Sequence, residues 1–363
     1  MRQPPRRRSR RRLSGRRPDT LLVLLASTTA LAAQTYVVAP AQYAAHEASA
    51  SSDTPWGGYG RYQQVHGDLR GTARTFTGLA WRRDGTANTN AAMIARNPDV
   101  EIVMAHTSLS AISATFASNV GSGATTVFTR RSVSGPDLRT QPLGMPAPFS
   151  FSISLDVPFP YAGTSDLLYD LKIHTNTSGN LYPFDAASGR DSSMWGGYTS
   201  VGMGCSTAHG FMNLRSAFLT NAGANQLTLQ WTVEGGPTNQ VAAILVGLTN
   251  PNFFSTLLCA GYPLYTDATV MVVPGATDAL GRFSSPTLTI PWRASYAGAA
   301  LTAQAGAVEI LQPSGVAASN GIRSTVAPAP VALQMSRVIA PSAPTALTGT
   351  VYVGYGLVTR FQY

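Results

Sequence analysis

Short runs of alternating hydrophobic and polar residues recur along this chain, separated by tight turns. Phe149-Ser150-Phe151-Ser152-Ile153-Ser154-Leu155 places Phe149, Phe151, Ile153 and Leu155 on one face at the two-residue period of a strand. Leu167-Leu168-Tyr169-Asp170-Leu171-Lys172-Ile173 does the same with Leu167, Tyr169, Leu171 and Ile173. Gln226–Val233 alternates and stops at Glu234-Gly235-Gly236-Pro237, whereas Val241–Leu248 is apolar throughout and reads as a strand buried on both sides. Thr75–Trp81, Val100–Met104, Ala124–Thr129, Thr269–Val273 and Ser285–Ile290 add further short strands, and Ser108–Asn119 reads as either a loop or a short helix. Many short strands between turns predict an all-β protein with two sandwich or jelly-roll-like domains, at 56–200 and 201–363. Residues 34–55, rich in Ala, Ser and Pro, read as a flexible lead. Thr350–Tyr363 alternates and is expected to complete a sheet of the second domain. The rival reading, the last strand of an outer-membrane barrel, is disfavoured because the preceding chain lacks regular amphipathic strands of about ten residues.

Composition sharpens this picture. Among 363 residues, only 12% are charged, against about a quarter in ordinary domains, while 34 Gly and 24 Pro break the chain often. The net charge of +9 is concentrated in one place, since nine of the 26 basic residues lie between Arg2 and Arg17. These nine arginines, Arg17 being the last, are followed by Leu21-Leu22-Val23-Leu24-Leu25-Ala26 and by Ala30-Leu31-Ala32. A basic stretch, a short apolar run and a small-x-small site together predict a secretory signal over 1–33, cleaved near Ala32 or Ala33. Ser9-Arg10-Arg11-Arg12-Leu13 partly matches a twin-arginine export motif, a match that arginine runs also produce by chance. Removing 1–33 leaves 17 basic against 16 acidic residues, a net +1. The arginines are therefore expected to serve export and not nucleic-acid binding. The short apolar run and the lack of any longer one predict no transmembrane helix. Localisation is expected to be secreted or envelope-associated in a bacterium.

Candidate chemistry is sparse. His46, His66, His106, His174 and His209 show no metal-ligand spacing, and there is no Cys-x-x-Cys, no G-x-S-x-G elbow and no phosphate-binding loop. No cofactor is expected. Asp156, Asp166, Asp170 and Asp185 lie near one another in sequence and are the candidates for a glycosidase carboxylate pair. Asp84-Gly85, Asp185, and Asp278 with Gly281 offer hard oxygen ligands for calcium, although Asp and Gly are also ordinary turn residues, the preferred reading. Trp-Gly-Gly-Tyr occurs twice, as Trp56–Tyr59 and Trp195–Tyr198. Trp56, Tyr59, Trp195 and Tyr198 form either a glycan-stacking platform or strand-end packing, and packing is preferred because nothing else repeats around them. Cys205 and Cys259, an even number in an exported chain and both in the second domain, predict one disulfide.

Several short motifs occur in a familiar order. These are Gly204-Cys205, Val246-Gly247-Leu248, Cys259 with Pro263-Leu264-Tyr265, Thr277-Asp278-Ala279-Leu280-Gly281, Leu288-Thr289-Ile290-Pro291, Gly298–Gln304 and Ser319-Asn320-Gly321. Over about 203–325 the chain resembles a C-terminal module of secreted, uncharacterised proteins of planctomycetes and neighbouring bacteria. Tyr62-Gln63-Gln64-Val65-His66, Phe116-Ala117-Ser118-Asn119, Pro158-Phe159-Pro160-Tyr161 and Leu167-Leu168-Tyr169-Asp170 resemble the β-rich region placed before that module. The resemblance implies secreted β-sandwiches and supplies no catalytic residue. Residues 326–363 extend past the point where such modules usually stop. The leading expectation is a non-catalytic envelope or extracellular structural or adhesive protein. The alternatives are a glycan-binding β-sandwich protein and a carboxylate-dependent glycoside hydrolase. A cell-surface glycan or an envelope protein is the expected partner.

Overall fold

The alternating segments pair as antiparallel strands in a computed structural model that describes residues 35–87, 91–140, 144–177, 181–190, 192–254, 258–259 and 262–363. The expected signal segment, 1–33, lies outside the described residues. The architecture is all-β, with helix confined to single turns such as Leu109–Ala111 and Phe116–Asn119. Ser108–Asn119 thus holds two short helical turns, Leu109–Ala111 and Phe116–Asn119, joined by irregular chain.

Two hydrophobic cores organise the sheets. The first lies between a six-stranded and a four-stranded sheet. The six-stranded order is Thr350–Val353, Met335–Pro341, Gly60–His66, Asp166–Thr175, Asp99–Thr107, Thr125–Ser132. The four-stranded order is Tyr36–Ala39, Thr359–Gln362, Arg74–Trp81, Phe151–Tyr161. Phe151, Ile153, Leu167, Tyr169, Leu171 and Ile173 all enter this core, as their period predicts. The other face of Asp166–Thr175 is covered as well. Leu168 packs with Val65 and Ala105 beneath Leu109, Ile112 and Val120. A small third sheet joins Ala50–Ser52, Phe184–Ser188 and Tyr355–Leu357.

The second core lies between two five-stranded sheets. One holds Ser193–Trp195, Asn213–Asn221 and Gln226–Glu234, with Phe283–Ser284 and Leu288–Pro291 both pairing with Gln226–Glu234. The other has the order Tyr198–Val201, Val316–Thr325, Ala300–Val308, Val241–Gly247, Met271–Ala276. Val241–Gly247 buries Ala242, Ile244 and Val246 but leaves the alternate positions partly open, so it is buried on one face and not on two. Cys205 and Cys259 are joined by a disulfide with 6.2 Å between their Cα atoms, inside the ordinary range.

Two expectations of chain organisation require correction. Residues 34–55 are not a loose lead. Tyr36–Ala39 pairs with Thr359–Gln362, Ala50–Ser52 pairs with Phe184–Ser188, and Val38, Tyr43 and Ala48 are buried. Nor does Thr350–Tyr363 complete the second sandwich. Its strands pair with Met335–Pro341, Phe184–Ser188, Arg74–Trp81 and Tyr36–Ala39, all belonging to the first core. The first core is therefore built from both ends of the described chain, and the second is inserted between about residues 192 and 327. Phe361 supplies the reason, because it docks among His66, Phe76 and Tyr169 at ring separations of 5.1, 5.1 and 6.3 Å. Thr35–Tyr363 forms one compact unit. No helix among the described residues is long and apolar enough to cross a membrane.

Candidate functional site

The four aspartates that neighbour one another in sequence are dispersed by the fold, and each faces its own arginine. Asp156 takes two 2.6 Å hydrogen bonds from Arg131 at the surface. That guanidinium, with the Thr129 amide, pulls its carboxyl down to about 2. Asp166 is buried against Arg70 and also accepts the Leu109 amide at 2.5 Å. Asp170 is held by Arg61 at 2.6 Å and by Gln63 Nε2 at 2.9 Å. Asp185 accepts Arg82 Nε at 2.7 Å and the Ala48 amide at 3.0 Å. Carboxylates engaged in this way are anchors of loops and strands. The calcium candidates close turns: Asp84 accepts Thr86 N and Oγ1 at 2.8 and 2.6 Å, and Asp278 accepts the Leu280 and Arg282 amides, both at 2.8 Å. Among the described residues, no three His, Cys, Asp or Glu side chains converge on a metal-sized site.

The densest buried charge lies where the two sandwiches meet. Glu47, absent from the sequence expectations because it sits in the supposed lead, is fully buried. Its Oε1 accepts the Gly85 amide at 2.7 Å and its Oε2 the Ala147 amide at 3.2 Å. Arg82, equally buried, bonds Asp185 and donates to the carbonyls of Tyr43 and His46 at 2.9 and 2.6 Å. Burial, then the charge of Asp185, pushes Glu47 well above the ordinary carboxylate range. Asp185 is raised to about 6 by burial, with Arg82 opposing. Arg82 offsets the charge of Asp185, so burial favours the neutral form more strongly at Glu47. This network ties residues 43–48 to the turn after Arg74–Trp81 and to Phe184–Ser188. Glu47 also pairs through its backbone with Trp195 of the second sandwich.

A second buried polar chain uses the Gln63-Gln64-Val65-His66 segment. Gln64 receives the Tyr62 hydroxyl and the Leu357 amide on Oε1, and its Nε2 donates to Leu357 O at 2.8 Å and to His66 Nε2 at 2.7 Å. The proton on His66 is then at Nδ1, facing Asp68 Oδ1 at 3.3 Å. The amide of Gln64 thus pairs with Leu357 as a neighbouring strand would.

The two Trp-Gly-Gly-Tyr copies are used in opposite senses. Trp56 is wholly buried, edge-on to Trp81 and Phe151 at 4.8 and 4.5 Å, and so belongs to no stacking platform. Tyr59, three residues on, is 49% exposed. In the second copy Tyr198 is buried in the second core at 8% exposure, and Trp195 packs half-buried against that core. Gly196 lies so close to the Thr325 carbonyl that no side chain fits. The fold therefore leaves Tyr59 as the one exposed tyrosine of the pair and does not bring the four aromatics to one surface.

Tyr59 lines a concavity of about 320 Å³ with Asp53, Thr54, Gly57, Gly58, Gly60, Arg61, Leu181, Ala340, Pro341 and Ser342. Asp53, Leu181 and Ser342 were not legible beforehand, because the turn 53–60, residue 181 and the end of Met335–Pro341 meet only in the folded chain. Shallow hollows among the described residues include a hydroxyl-rich one around His106. No protein-family model, curated protein or solved structure matches this chain.

Proposed function

We propose that the protein is exported and non-catalytic, a structural or adhesive component of a bacterial envelope or its surroundings. The observation that carries this reading is how the chain uses its acids. Asp156, Asp166, Asp170 and Asp185 are each neutralised by an arginine, Asp84 and Asp278 close turns, and Glu47 is sealed against backbone amides. A glycosidase requires one carboxylic acid and one carboxylate facing each other across an open cleft, and these groups are spent on holding the fold. The disulfide suits an oxidising compartment, and the basic and apolar leader suits export. Glycan binding is the second reading, favoured by the exposed ring of Tyr59. The test is expression of the full chain in a bacterial host, followed by fractionation, N-terminal sequencing and peptide mapping without reduction. The expected product begins near residue 33 or 34, lies outside the cytoplasm with Cys205 and Cys259 linked, and releases no reducing sugar from polysaccharides. Cytoplasmic retention with two alkylatable thiols, or sustained turnover of a glycan, overturns the proposal.

A further inference from the structure

We infer that the concavity at Tyr59 is a subsite for one neutral sugar ring of a polysaccharide; this rests on the non-catalytic adhesive reading above and gives it a ligand class. The site is built and not incidental. Trp56 anchors the turn in the core against Trp81 and Phe151. Behind the turn, Asn176 Nδ2 donates to the carbonyls of Trp56 and Gly58 at 2.9 and 3.0 Å, and Arg96 Nη1 reaches Trp56 O at 3.3 Å. Gly57 N closes onto Asp53 O at 2.5 Å. The Tyr59 carbonyl accepts Ser342 N at 2.8 Å, which fixes the opposite wall. Two residues here hold backbone conformations that side chains disfavour. Gly60 has φ of 145°, where a Cβ would come 2.5 Å from the Ala340 carbonyl, and Ser342 has φ of 59°. Strain of this kind persists only where the surroundings over-determine it, and it concentrates at binding sites.

The unspent groups define the ligand. Asp53 uses Oδ1 for the Tyr182 amide at 2.7 Å, and its second oxygen has no donor among the described residues. The Tyr59 hydroxyl and the side-chain hydroxyls of Thr54 and Ser342 likewise make no bond to the described protein, while the Tyr59 ring stands half in solvent. Arg61 is spent: its guanidinium serves Asp170 and the Ala346 carbonyl and lies 4.5 Å over the Phe116 ring. A carboxylate acceptor, several hydroxyls, an exposed aromatic face and no free cation disfavour anions. They match a polyol with an apolar C–H face, the surface a pyranose ring presents.

The experiment incubates the oxidised, full exported chain with peptidoglycan sacculi, chitin and cellulose, with polystyrene beads as a sugar-free control, and measures the protein left in solution. Retention is expected on at least one glycan and not on polystyrene, with release by soluble oligosaccharide and little change between low and high salt. Tyr59→Ala should weaken retention about tenfold, Tyr59→Phe much less, because stacking is the larger share. Asp53→Asn should weaken it several-fold. Circular dichroism and the melting temperature of each variant check the fold. Wild-type-like retention of Tyr59→Ala, retention on no glycan, or retention abolished by salt overturns the inference. Retention that ignores Tyr59 sinks the subsite and leaves the adhesive reading standing. Hydrolysis of the retained glycan, with Tyr59 still required, sinks the non-catalytic reading and leaves the subsite standing.

Discussion

Tryptophan and tyrosine in the same tetrapeptide take opposite roles here, which shows how little a residue's type says about its use. Trp56 fills the first core and pushes Tyr59 outward, whereas Tyr198 fills the second core and leaves Trp195 at its margin. The acids make the same point. Glu47 was invisible in a stretch of small residues, yet it is the most perturbed carboxyl of the junction network. Its consequence is measurable. A carboxyl whose folded pKa is raised binds more protons in the native state than in the unfolded one, so its contribution is fully present below the unfolded value and is lost as pH rises. For Asp185 that loss runs from its ordinary value of 3.8 to about 6. Glu47 adds a loss that begins at 4.5 and extends higher. The melting temperature of the wild type is expected to decline from pH 4.5 to pH 7, and Glu47→Gln, which never ionises, should flatten that decline. An equally steep decline in the variant would show that Glu47 is already ionised in the native protein.

Strands carry their own period but not the name of their partner. Thr359–Gln362 buries Thr359 and Phe361 and leaves the alternate positions half-buried, as its pattern predicts, and it does so in the first sandwich. What selects that sandwich is a set of distant groups. Phe361 meets His66 and Phe76, and Gln64 clamps Leu357 through both its amide and its carbonyl. Gln64→Leu removes that clamp, strips buried His66 Nε2 of its donor, and leaves Leu357 N only the Tyr62 hydroxyl at 3.3 Å and Leu357 O only the Thr359 hydroxyl at 3.2 Å. The loss should be about 2–4 kcal/mol, by the cost of unsatisfied buried groups. Denaturant titration measures it, and hydrogen exchange should show residues 355–362 opening before the strands of the second core. Unchanged protection there would mean that Phe361 alone pins the segment.

Over the described residues of Thr35–Tyr363, one sandwich is interrupted by another. Both ends of the described chain close the first core, while the second keeps its own core and disulfide between about residues 192 and 327. Cys205 and Cys259 are 54 positions apart. Closing a loop of that length gives roughly 4 kcal/mol in the chain-entropy model. The double variant Cys205→Ala/Cys259→Ala should therefore melt earlier, with the loss confined to the second sandwich. Limited proteolysis of that variant should release fragments from 193–325 first and leave the paired terminal segments protected. Cleavage beginning instead at 36–52 or 350–363 would contradict the insertion.

The all-β class, a minority of the strands, the inward faces of Phe151–Ile153 and Leu167–Ile173, and the cysteine pair were legible before any coordinate, whereas long strands such as Gly60–His66, Asn213–Asn221 and Val316–Thr325 were not. Each legible feature depends on a local quantity: a two-residue period, a turn composition, or an even count of thiols in one segment. The packing of Trp56 and Tyr198 was the preferred reading, but the pairing of 36–39 with 359–362, the exposure of Tyr59, the burial of Glu47 and the meeting of Asp53, Tyr59 and Ser342 were not legible. They depend on which distant segments the chain brings together. Alternation reports that a strand has one apolar face, and every sheet in this protein offers a surface to receive it. The choice among them is made by side chains hundreds of residues away, through the burial of Phe361 and the hydrogen bonds of Gln64 and Arg82.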